Sequence, residues 1–98
     1  MQLAKVLGTV VSTRKEDSLE GLKFLLLGQL NESGEPTGSS VVAADAVGAG
    51  VGELVLYATG RSARQTRMTD ARPCDAVVMA IVDSWEIEGV EKYKKGDE

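Results

Sequence analysis

Read for hydrophobic and polar positions alone, the chain is a series of short apolar runs separated by polar or glycine-rich breaks. The first run, "LAKVLGTVVST" (3–13), is rich in β-branched residues, and Gly8 inside it marks a bulge or a close approach of backbones. "LKFLLLGQL" (22–30) is the second run. "NESGEPTGSS" (31–40) holds no aliphatic or aromatic residue and concentrates Asn, Ser, Gly and Pro, so it is expected to be a turn. "VVAADAV" (41–47), "ELVLYAT" (53–59) and "DAVVMAIVDSWEI" (75–87) follow as the third, fourth and fifth predicted strands. Five short strands with turn signals between them predict a single all-β domain over 1–98, built as a small barrel or sandwich.

Helical signal is confined to one place. In "RSARQTRM", Ser62 and Gln65 have the spacing of a capping box, and Asp70 to Pro73 end any helix after one or two turns. The tail "GVEKYKKGDE" (89–98) is polar and is expected to fray or to dock on a neighbour. The stretches 24–27 and 76–82 lack the in-out alternation of a sheet with one wet face. One face can fill a barrel, but no long amphipathic helix exists to cover the other. A second copy of the chain is the simplest cover, so a homo-oligomer is expected.

Composition narrows the chemistry. A chain of 98 residues buries a modest fraction of its surface, and such chains commonly gain stability from disulfides, metals or partner subunits. Cys74 is the single cysteine and histidine is absent, so neither an intrachain disulfide nor an ordinary zinc site is expected, and no cofactor is implied. The lone cysteine fits a reducing, cytosolic setting. Val6–Val11 is shorter than the apolar core of a signal peptide, and the longest apolar run, Ala76–Val82, is far below the ~18 residues of a membrane span. The reading is a soluble protein with no membrane partner.

Fifteen acidic against eleven basic residues give a net charge of −4, unfavourable for non-specific nucleic-acid binding. The arginines are nevertheless clustered, four of the five (Arg61, Arg64, Arg67 and Arg72) lying within twelve residues. Arg61 and Arg64 beside a helix N-terminus could attract an anion. Equally, they could pair with Asp70, Asp75 or acids of a neighbouring subunit. Gly48, Gly50 and Gly52 are spaced G-x-G-x-G, whereas a dinucleotide fingerprint needs G-x-G-x-x-G opening a helix and a P-loop needs Gly-Lys-Ser/Thr. Here Glu53 and a strand follow, so the glycines read as backbone devices for a tight connection. With no histidine and no paired nucleophile, no catalytic residue is assigned. Phe24, Tyr57, Trp85 and Tyr93 leave open one alternative, base stacking on an OB-type barrel as a nucleic-acid-binding module.

"ADAVGAGVGELVL" (44–56), "TGRSARQ" (59–65) and "PCDAVVMAIVD" (73–83), in that order, resemble the bacterial microcompartment vertex proteins of the EutN/CcmL family. The opening "LAKVLGTVVST" and the closing "YKK" are similar too, so the likeness covers nearly the whole chain. The resemblance implies an OB-like five-stranded barrel with one short helix, assembled as a cyclic pentamer. Such pentamers cap the vertices of a polyhedral shell in the bacterial cytoplasm, tiled elsewhere by hexameric shell proteins, because a flat hexagonal sheet closes only where pentagons curve it. It further implies that Gly60, Arg61, Ser62, Ala63 and Arg64 stand at the five-fold axis, and that the turn at Gly48, Gly50 and Gly52 helps shape the tips that meet there. The chain departs from the family at Leu54, where Trp is common, and at Arg61, where a small residue is common and the arginine adds positive charge.

Overall fold

The computed structural model describes residues 1–11, 21–60 and 76–96, and every regular element among them is a strand. These are β1 (Gln2–Val10), β2 (Phe24–Leu30), β3 (Pro36–Asp45), β4 (Leu54–Thr59), β5 (Ala76–Ile81), β6 (Ser84–Ile87) and β7 (Val90–Lys94). The first five close into a barrel in the order β1-β2-β3-β5-β4, with β4 pairing back onto β1. All pairings are antiparallel except β3 with β5, which meet in parallel at Ala44–Val77 and Asp45–Val78. This is the five-stranded OB-like barrel that the family resemblance implies, and of the barrel or sandwich left open by the strand pattern it is the barrel. The short helix expected from Ser62 lies outside the described residues.

Closing a sheet with only five strands demands sharp coiling, and bulges supply it. On β1 the register slips between Val6 and Gly8, so Leu7 is extra, at the bulge that Gly8 predicts. Gly28 on the facing strand makes room for it: a Cβ there would come 3.0 Å from Leu7 Cδ1.

The barrel is filled by alternate residues of its strands. Ala4, Val6, Leu25, Leu27, Ala43, Val55, Tyr57, Ala76 and Val78 point inward as one buried cluster, joined by Ala49 from the β3–β4 connection. The tyrosine keeps its hydroxyl satisfied by donating to Gln2 Oε1 at 2.6 Å, and burial pushes the phenol's pKa above its ordinary value.

The opposite face explains the strands without alternation. Phe24, Ala44, Val77 and Ala58 lie side by side across β2, β3, β5 and β4 as one lateral row. Leu22, Ala44, Ala58 and Val77 form a second buried cluster, with Phe24, Ala46 and Met79 packed on it. Val77 is 0% exposed in the single chain. Val77 is therefore covered within the protomer, while Phe24, Leu26, Met79 and Ala80 of the same two runs stay half-buried. Apolar surface does remain elsewhere, at Leu7, Val10, Val11 and Val42.

Three strand boundaries also differ from expectation. The turn of 31–40 is shorter than predicted: Asn31 Oδ1 accepts the amides of Ser33 and Glu35, and Asn31 O accepts Gly34 N–H, which closes the reversal by Glu35. Pro36 then opens β3, at a strand start where its missing N–H is tolerated. Residues 75–87 are two strands, not one, because the chain leaves the barrel after Val82, whose N–H is the last to bond to Leu54 O. The tail does not fray over Val90–Lys94; it folds back on β6 as β7, in a hairpin turned by Glu88 and Gly89, both at positive φ.

Candidate assembly site: the glycine turn and its fastenings

The connection from β3 to β4 holds all three predicted glycines in one turn. Gly48 and Gly52 have φ of 76° and 91°, values that glycine adopts without penalty, so two of the three answer to backbone conformation. Gly50 answers to space, since a Cβ there would come 3.3 Å from Glu53 Oε1.

Two carboxylates organise this turn, and neither was singled out as its organiser from the sequence. Asp45, the last residue of β3 and 7% exposed, accepts three successive amides on Oδ1: Val47 and Gly48 at 3.0 Å and Ala49 at 3.3 Å. The motif was legible, because Asp followed three residues later by Gly is a turn signature in which the side chain satisfies the backbone. Glu53 accepts Gly50 N–H on Oε1 at 2.6 Å and faces Lys95 Nζ at 2.8 Å on Oε2. That ion pair joins residues 42 apart in sequence, and no local pattern announces it. The hydrogen bond from Lys95, then that from Gly50, holds the Glu53 carboxyl below its ordinary 4.5. Two backbone bonds complete the seat: Val6 N–H donates to Glu53 O at 2.9 Å and Gly52 N–H to Val6 O at 2.8 Å.

Gly60, with φ of 62°, ends β4. Arg61, Ser62, Ala63 and Arg64 lie outside the described residues. Gly52 and Gly60 stand on either side of β4, roughly 26 Å apart along an extended chain at ~3.3 Å per residue.

Beside Asp45 and Gly48 the surface opens into a largely apolar groove of about 610 Å³, with Val10, Val11, Leu22 and Phe24 among its walls. Its residues include no nucleophile with a base beside it. Among the described residues, no group of three or more His, Cys, Asp or Glu is placed to hold a metal ion. The closed barrel, its fastened glycine turn and the apolar strips exposed beside it define an all-β protein of the OB-like barrel class.

Comparison with known proteins gives the family. Residues 1–83 match the family described as "Ethanolamine utilisation protein EutN/carboxysome", and the chain belongs to it. The carboxysome shell vertex protein CcmL of Gloeobacter violaceus is 47% identical over 98 residues, covering 100% of this chain and 98% of that protein. Its solved structure superposes with a TM-score of 0.95 over 99% of this chain and 100% of that one. The pentameric microcompartment shell protein GrpN of Rhodospirillum rubrum is 48% identical, with a TM-score of 0.80 over 89% of this chain and all of that one, which covers 100%.

Proposed function

We propose that this chain is a shell vertex protein, forming pentamers that cap the corners of a polyhedral bacterial microcompartment in the cytoplasm. The observation that carries the reading is the match, over 89% to 100% of the chain, to proteins named for that role, one of them described as pentameric. The geometry supports it. A five-fold ring is built from head-to-tail contacts, so two different patches of each chain must meet. Val11, 91% exposed, Leu7 and Val42 supply apolar surface for such contacts, as does the groove beside Phe24.

Within the ring, the Gly60–Arg64 turn is assigned to the five-fold axis, where Gly60 and Ala63 add little bulk. The sheet around the vertex would consist of hexameric shell proteins, the partners a pentagon needs to close a hexagonal lattice. The base-stacking alternative finds no support. Tyr57 is inside the barrel, Phe24 packs in the outer cluster, and Trp85 stacks on Tyr93 with ring centroids 5.2 Å apart.

Native mass spectrometry tests the assembly. The expected species has a mass of about 52 kDa, five times the 10.4 kDa chain. A monomer at micromolar concentration would overturn the proposal.

A further inference from the structure

Residues 84–95 lie past the stretch that matches the family, 1–83, yet they are tied to the barrel at both ends. At one end Trp85 Nε1–H donates to Glu32 O at 3.1 Å, and the indole sits so close to Gly34 that a Cβ there would come 3.1 Å from Trp85 Cζ2. At the other end Lys95 N–H donates to Asp83 O at 2.7 Å, which closes the base of the hairpin. Its ammonium, 2.8 Å from Glu53 Oε2, reaches the carboxylate that holds the glycine turn.

We propose that the β6–β7 hairpin is a clasp on the glycine turn, with Lys95 as a positioning residue that acts through Glu53. A glutamate at an exposed position samples several rotamers, and holding it in one costs side-chain entropy. Here one oxygen is held by Lys95 while the other accepts Gly50 N–H, so the ion pair presents the second oxygen to the turn. The Gly50 carbonyl in turn accepts Glu53 N–H at 3.1 Å, which makes residues 50–53 a closed unit. That unit carries Val51, 66% exposed, on its outer side. The end of the chain thus sets the shape of a surface loop formed some forty residues earlier. Removing the Lys95 charge, for example by acylation of its amine, opens the clasp while leaving the barrel closed. The inference stands on the protomer alone and does not require the pentamer.

Amide hydrogen exchange on the full chain tests it. In Lys95→Met the Gly50 and Glu53 amides are expected to exchange about two- to five-fold faster than in the wild type, the range an exposed ion pair supports. Lys95→Arg should restore protection, and 1 M salt should shrink the difference as screening weakens the pair. Glu53→Gln keeps an acceptor oxygen but loses the charge, so it should resemble Lys95→Met, and the double variant should add nothing further. Emission from Trp85 should stay unchanged throughout, showing that β6 remains seated on the β2–β3 turn. Faster exchange at Lys95 with Gly50 and Glu53 unchanged would make the hairpin a passenger and overturn the proposal.

Discussion

Asp45 shows what one side chain does for a loop with few contacts of its own. Three consecutive N–H groups converge on a single carboxylate oxygen at the point where β3 ends, and Ala49 is thereby steered into the barrel core. Asp45→Ala leaves those donors to find water at a site that is nearly buried. The expected loss is about 1–3 kcal/mol in urea unfolding, the cost of leaving buried polar groups unpaired. Asp45→Asn, which retains an acceptor oxygen in the same place, should lose less. Equal losses for the two variants would mean that charge, not the acceptor geometry, holds the turn. This residue was readable from its spacing to Gly48. Glu53 was not, since its partner Lys95 becomes a neighbour only when the hairpin folds back.

At the scale of elements, the hairpin and the barrel are joined by a pair whose pH dependence has a definite sign. Glu53 is held below its ordinary 4.5 chiefly by the hydrogen bond from Lys95, so its contribution is present above that value and is lost as pH falls through the folded-state pKa. Lys95 is raised above its ordinary 10.5 chiefly by its hydrogen bond to Glu53, so its contribution is present below that value and disappears as pH rises through the folded-state pKa. The stability difference between wild type and Lys95→Met should therefore be flat through neutral pH and should vanish at both extremes. Urea midpoints measured as a function of pH check this. A difference that persists once Glu53 is fully protonated would point to packing of the lysine stem instead. The hairpin itself was half legible. Its residues read as the end of one long strand plus a polar tail, because Asp83 interrupts the apolar run only after the last barrel bond has been made.

For the whole molecule, the apolar surface still exposed after the barrel closes is what an assembly would consume. Five copies of Arg61 at one axis would repel one another, by about 1 kcal/mol per pair at ~4 Å even in water. Arg61→Ser is expected to leave the five-chain species intact or to strengthen it against dilution, with the gain shrinking at high salt. Native mass spectra across a dilution series at two salt concentrations provide the check. Loss of the ring in this variant would make Arg61 an ion-pair residue of the interface and remove the Gly60–Arg64 turn from the axis.

The sequence by itself determined the class of architecture, the Gly8 bulge, the demand for glycine at 48 and 52, and membership of the family. Each rests on local information: period-two burial, turn chemistry, or residues in a fixed order. Only the tertiary structure decided that β3 and β5 lie parallel, that Phe24, Ala44, Val77 and Ala58 lie side by side in one row, and that Lys95 reaches Glu53. The reason is that periodicity shows that a strand has two apolar faces without showing what lies against either. Barrel closure brings together side chains far apart in the chain, and only there does Val77 find its cover and Glu53 its cation.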